Sequence, residues 1–278
     1  MRALLASPLG FLIGLSLGAL GGGGSILAVP ALVYGAGQGA KAATSTSLLI
    51  VGISSVFGML SHWRAGRVRV GAGLVFGVVG IGGSLVGSAL NRSVDPDVLL
   101  LAFSGLMMVA AWRMWVGSRK PAPAVGGTGG AAGGTAAGAG SVGAAVDTRQ
   151  CLRIDAATVV KVVIAGTIVG LLTGFFGVGG GFVIVPALVL ALRYPMPEAV
   201  GTSLLIIAVN SAFAFSQRVA TTGVDWGTAV PFLVAAMIGV LSGTELAKRV
   251  DAKRLSKSFV WLLVAVAVYT AIRSVMAL

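Results

Sequence analysis

Ionisable and metal-ligating side chains are scarce in this chain. Its 278 residues include eight acidic side chains, one histidine and one cysteine, and only 10% are charged, where a soluble domain usually carries about 25%. The lone cysteine, Cys151, excludes an intrachain disulfide and a cysteine-based metal cluster. The shortage of Asp, Glu, His and Cys within apolar stretches argues against bare metal cations as ligands, and no cofactor is expected. What fills the sequence instead is apolar: 56% of residues are hydrophobic and the mean hydropathy is +0.99. A water-soluble fold could not hide that much apolar surface, so the partner is a lipid bilayer.

Apolar stretches approaching the span length of about 20 residues recur along the chain. They are Leu48–Leu60, Val70–Leu90, Val98–Val116, Thr158–Phe176, Leu204–Phe215, Val230–Leu246 and Phe259–Ile272. The net charge of +12 sits mainly in short loops, where Lys and Arg mark the cytoplasmic side; nucleic acid is not an expected partner. Met1-Arg2 followed by Ala3–Leu20 resembles a secretory signal, but a matching segment recurs mid-chain, which argues for a retained membrane segment.

That recurrence is a duplication. Gly14–Tyr34 reads GLSLGALGGGGSILAVPALVY and Gly170–Leu190 reads GLLTGFFGVGGGFVIVPALVL, with about half the aligned positions identical. The register that superposes Pro30 on Pro186 also aligns Thr46-Ser47-Leu48-Leu49-Ile50 with Thr202-Ser203-Leu204-Leu205-Ile206, and Gly87-Ser-Ala-Leu with Gly243-Thr-Glu-Leu. Three units follow: a first membrane repeat over 1–116, a linker over 117–153 and a second repeat over 154–278. The linker is dominated by Gly, Ala and Val, too poor in large apolar residues to pack.

Loop charge predicts how the repeats are oriented. The first repeat carries His62, Arg64, Arg67 and Arg69 after its second apolar block, against Arg218 and Asp225 in the second repeat. The next loop reverses this, with Arg92, Asp95 and Asp97 against Lys248, Arg249, Lys253, Arg254 and Lys257. Positive charge swaps between equivalent loops, as homologous halves of opposite orientation require. The predicted fold is therefore an all-α polytopic membrane protein of two inverted repeats, each a glycine-broken helical hairpin plus three transmembrane helices. The linker, the Arg64–Arg69 loop and the Lys248–Lys257 loop are expected to be cytoplasmic, and both termini outside.

The runs Gly21-Gly22-Gly23-Gly24 and Gly177 to Gly181 are where chemistry is expected. Scattered glycines such as Gly77, Gly80, Gly83 and Gly87 fit close helix packing, but consecutive glycines discourage continuous helix. A new helix starting near Ser25 or Phe182 would aim free N–H groups and a positive dipole end at the break, which suits an anion. The candidate substrate-binding residues are Gly21, Gly22, Gly23, Gly24, Ser25, Gly177, Gly179, Gly180 and Gly181. Thr46, Ser47, Thr202 and Ser203, expected at the start of the next helix, are either hydroxyl donors to an oxyanion or simple N-caps or back-bonding residues. Asn210, with Ser54 and Ser55 near the equivalent position, adds a polar group inside a span. Pro30 and Pro186 mark a kink or hinge. His62 is either one member of an interfacial pair with Trp63 or a proton-coupling group. Glu245 and Lys161 lie close enough to helix ends to snorkel. No catalytic set is found: GGGGS and GVGGGF lack the Lys-Ser/Thr of a phosphate loop, and Ser25 with His62 has no matching pair in the second repeat.

These segments resemble the sulfite exporter TauE/SafE family, whose pattern is matched by GALGGGGSILAVPAL and GFFGVGGGFVIVPALVL, the helix segments TSTSLLI and GTSLLI, the stretch SHWRAGRV and the helix GSLVGSAL. The resemblance covers nearly the whole chain outside the linker. It implies transport of small sulfur-containing anions such as sulfite or organosulfonates, driven by a coupling proton or cation, in a bacterial-type inner (plasma) membrane. The sequence departs from the pattern in its long linker and in having Arg218 where the first repeat has His62. A homodimer is compatible with the sequence. Transport of another small solute or a metal complex, or a non-transporting scaffold, are the competing readings.

Overall fold

In the computed structural model the described residues are 2–32, 37–91, 96–117, 156–176, 181–219 and 226–275, and they form ten helices. The first repeat contributes α1 (Arg2–Leu20), α2 (Gly23–Pro30), α3 (Ala40–Arg64), α4 (Val70–Asn91) and α5 (Pro96–Gly117). The second contributes α6 (Ala156–Phe176), α7 (Gly181–Leu190), α8 (Met196–Val219), α9 (Trp226–Arg249) and α10 (Ala252–Val275). Each repeat is thus a long helix, a short one and three long ones, as the duplication predicts. The linker, with Cys151, lies outside the described residues.

Among the described residues, four helices are long and apolar enough to cross a bilayer: α3, α4, α8 and α9. Their outer faces carry exposed apolar side chains, among them Val78, Val86, Val234 and Ile238, with Trp63 and Trp226 near helix ends, the surface expected to meet lipid. Inside, Phe76, Ile50, Leu204, Ile206, Phe232 and Phe259 are fully buried.

Packing is reciprocal between the repeats: α1 packs most extensively on α9, and α6 packs most extensively on α4. Small residues make this possible. Gly10, Gly14 and Gly18 lie on the backbone of Phe232, Ala236 and Val240 in turn, so α1 and α9 run parallel. Gly83 and Gly87 lie against Thr167 and Leu171, and Gly170 and Gly174 against Gly80 and Ser84, so α4 and α6 also run parallel. At the centre, Gly52 faces Ser211 and Gly58 faces Leu204, which makes α3 and its equivalent α8 antiparallel.

Two boundaries differ from the sequence expectation. Helix resumes at Gly23 and Gly181, earlier than Ser25 and Phe182, because glycine permits a helical backbone even where it does not favour it. Thr46 and Thr202 each lie six residues into α3 and α8, not at their starts. The residues before them, Ala40-Lys41-Ala42-Ala43 and Met196-Pro197-Glu198, extend the helices; proline is tolerated in a first turn, and Glu198 suits the positive end of α8. The cap reading of these hydroxyls is therefore corrected.

Candidate functional site

The first break is a two-residue turn. Gly21 has φ +72°, the left-handed conformation that ends a helix and that a side chain rarely adopts. Gly22 then caps α2. The two hairpins meet here: a Cβ at Gly22 would overlap the Gly181 carbonyl, and one at Gly181 would lie 3.1 Å from the Gly22 carbonyl and against Ser25 Oγ. Gly21 lies against Ser203 and Val200 of α8 and Val185 of α7, while Gly181 touches Ile207 of α8. The start of α2, the start of α7 and one face of α8 therefore converge, bringing together Gly21, Gly22, Ser25, Gly181 and Ser203. Gly177, Gly179 and Gly180 lie outside the described residues.

The other expected residues lie along α2, α3, α7 and α8. Gly23 and Gly24 form the first turn of α2, Gly23 facing Leu262 and Gly24 the backbone of Ile13 and Leu17. Ser25 Oγ donates to the Gly22 carbonyl at 2.7 Å, and Ser203 Oγ to the Val200 carbonyl at 2.8 Å. Each hydroxyl proton is thus held locally and must turn to serve a ligand. Ser47 Oγ bonds the Thr44 carbonyl at 2.8 Å, whereas Thr46 Oγ1 is buried with no hydrogen-bond partner. Thr202 Oγ1 accepts the Arg69 N–H at 3.1 Å. Pro30 ends α2 and its side chain is outside the description; Pro186 is buried within α7.

Asn210 stands apart, seven residues beyond Ser203 on α8, or about 10 Å at 1.5 Å per residue. Its amide oxygen is buried without a hydrogen-bond partner, and its amide faces Gly77 and Gly80 of α4. Gly77 and Gly80 would each accept a methyl group: a Cβ there would meet its nearest neighbours at 3.4 and 3.7 Å, ordinary van der Waals contact, although Gly170 packs on the Gly80 backbone. Ser54 Oγ and Ser55 Oγ are likewise buried and unpartnered.

His62 is not at an interface. It is 1% exposed while Trp63 is 53% exposed, so the interfacial-pair reading is corrected. The imidazole is enclosed between the last turn of α1, where Nε2 lies 3.5 Å from the Gly18 carbonyl, and Gly201 of α8. Glu245 is exposed and paired with Lys248 and Arg249, and Lys161 is exposed. The Arg69–Glu198 ion pair at 3.0 Å was not legible in the sequence, because it joins the two repeats and neither partner carries a motif.

Comparison with known proteins identifies the family. Residues 6–270 match the family model described as sulfite exporter TauE/SafE. The chain belongs to that family. It is 34% identical over 268 residues to a "Probable membrane transporter protein" of Xylella fastidiosa (strain 9a5c), covering 95% of this chain and 93% of that one. It is 25% identical to "Probable membrane transporter protein YdhB" of Bacillus subtilis (strain 168), covering 92% and 95%. It is 26% identical to "Probable membrane transporter protein MJ0441" of Methanocaldococcus jannaschii, covering 75% and 70%. No solved structure matches the chain. This TauE/SafE member is thus a multi-pass membrane transporter by family, and the geometry above describes its centre.

Proposed function

We propose that the protein carries small oxyanions, sulfite or organosulfonates, across a bacterial-type inner membrane, binding them where the two glycine-broken hairpins meet. The observation that carries this reading is the contact of Gly22 with Gly181 at the starts of α2 and α7. Two helix N-termini then converge on one point, each with a positive dipole end and first-turn N–H groups, although in α2 the Ser25 N–H is turned to the Gly22 carbonyl at 3.3 Å. Ser25, Ser203 and Thr46 supply hydroxyls for the remaining oxygens, and Asn210, about 10 Å further along α8, is a second polar station on the path. Gly177, Gly179 and Gly180 are assigned the same role as Gly21–Gly24, with Ser47 and Thr202 placed by symmetry.

The antiparallel packing of α3 on α8 and the parallel pairs α1/α9 and α4/α6 support inverted repeats, with a pseudo-two-fold axis in the membrane plane. Equivalent helices then run in opposite directions, as the charge swap between loops requires. Alternating access follows from movement of tightly packed bodies past one another, with Pro30 and Pro186 as hinge points. Because α1 is fastened to α9 and α6 to α4, each moving body mixes elements of both repeats.

Two measurements test this. Ligand-induced stabilisation of the purified protein by sulfite, sulfate and a small sulfonate should be seen for at least one of the three, and should be lost in Gly22→Ala. Stabilisation by none of them would reject the anion site. Cysteines at Arg67 and Lys253, with Cys151 replaced by Ser, should be labelled from the same side of the membrane. Labelling from opposite sides would reject the inversion.

A further inference from the structure

Resting on the reading above, we infer that His62 is the proton-binding group that couples anion movement to a proton gradient, so that one proton and one oxyanion are carried together. His62 is the one histidine of the chain, and three elements converge on it: α1 through the Gly18 carbonyl, α8 through Gly201, and the loop after α3, whose Arg67 N–H donates to the His62 carbonyl at 3.0 Å. It thus joins the first hairpin to the second repeat.

The chemistry of the imidazole follows from its partners. A carbonyl only accepts, so the nitrogen facing Gly18, Nε2, carries the hydrogen, and Nδ1 presents a bare lone pair. Nδ1 is buried with no hydrogen-bond partner, although buried polar atoms in folded proteins nearly always find one. An unpaired basic nitrogen in such a place is a proton acceptor that waits for its proton.

Taking that proton creates a buried cation, and its surroundings decide when this is permitted. The charged groups that face His62 are Arg67 from the loop and Lys248 from α9, both cations, while α1 and α8 present backbone at Gly18 and Gly201. Glu198 and Glu245, the carboxylates that form ion pairs in this region, are already held by Arg69 and by Lys248 and Arg249. The carbonyl end of α1 favours a cation modestly. Among the described residues no unpaired carboxylate faces His62, and the transported anion is the counter-charge. Gly18 lies one turn before the break at Gly21, about 4.5 Å along α1 at 1.5 Å per residue, so His62 contacts the helix that ends at the proposed anion site. Anion and proton therefore stabilise each other: neither is readily buried alone, and each leaves with the other. The proton enters at Nδ1 from one aqueous phase and departs from Nδ1 to the other, with no bond made or broken elsewhere.

The test uses purified protein in proteoliposomes and labelled ethanesulfonate, whose charge does not change with pH. Exchange of labelled for unlabelled ethanesulfonate without a gradient tests the transport reading itself; its absence would overturn sulfonate carriage. An acid-outside pH gradient should then drive accumulation above the equilibrium level. Exchange without such accumulation would overturn the coupling while leaving transport standing. In His62→Gln the side-chain amide can still donate to the Gly18 carbonyl but cannot take a proton. Gradient-driven accumulation should fall about tenfold or more, and whatever exchange remains should lose the parent's decline at alkaline pH; full accumulation in this variant, or exchange with the parent's pH profile, would overturn the proposal. If His62→Gln does not fold, Arg67→Gln carries the test. Removing that cation makes protonation easier, so the pH of half-maximal accumulation should rise by about half a unit, and an unmoved midpoint would overturn the assignment.

Discussion

Glycine serves three separate purposes in this molecule, and single substitutions should separate them. Gly21 is needed for its positive φ. Gly22 and Gly24 are needed because backbone lies where a side chain would be: Gly181 against the first, Ile13 and Leu17 against the second. Gly23 meets only the end of Leu262, which can turn aside. Gly22→Ala and Gly24→Ala should therefore cost about 1–3 kcal/mol by overpacking, and Gly23→Ala markedly less, as read from melting in detergent. The same logic divides α4. Gly83→Ala and Gly87→Ala push on the α6 backbone and should destabilise, whereas Gly77→Ala and Gly80→Ala find room and should leave the melting temperature unchanged or raised, alanine being the better helix former by up to about 1 kcal/mol. All four fit one small-residue pattern in the sequence; only the position of α6 distinguishes them. His62 shows the same limit. Its neighbour Trp63 and its place at a helix end suggest an interface, and its burial depends on Gly18 and Gly201, which no local pattern connects to it.

At the level of elements, the glycine runs did disclose the helix breaks, because consecutive glycines weaken a helix wherever they occur. They did not disclose the boundaries, because only Gly21 is forced out of helical geometry and the glycines after it can join α2. The antiparallel register of α3 and α8 can be checked directly. A Cβ at Gly52 would lie 3.2 Å from Ser211 Cβ, close to the separation of about 3.5–4.5 Å found in disulfides. With Cys151 replaced by Ser, Gly52→Cys with Ser211→Cys should cross-link on mild oxidation and keep the two repeats joined after proteolysis of the linker. Gly52→Cys with Leu204→Cys should not cross-link, since Leu204 pairs with Gly58; cross-linking of this second pair would show the register to be wrong.

For the whole molecule, the duplication was legible because one alignment register holds over most of both repeats. The exchange of partners was not, because nothing in either repeat states that α1 seats on α9 and α6 on α4. That exchange predicts mutual dependence in folding. Residues 1–117 or 156–278 produced alone would leave the glycine faces of α1 or α6 uncovered, and should be degraded or aggregate. Produced together as separate chains, they should assemble and purify as a complex, since α1 seats on α9 and α6 on α4. The same exchange places the two breaks at the junction of both repeats, which makes them the natural site for a carried anion. Flux into proteoliposomes tests that assignment most directly. Labelled sulfite or a small sulfonate should enter saturably, with uptake sharply reduced in folded Gly22→Val, which forces the hairpins apart, and unchanged in Gly105→Ala, where nothing lies within 4 Å of the added carbon. Uptake no greater than in protein-free vesicles, or uptake indifferent to Gly22→Val, would contradict the account.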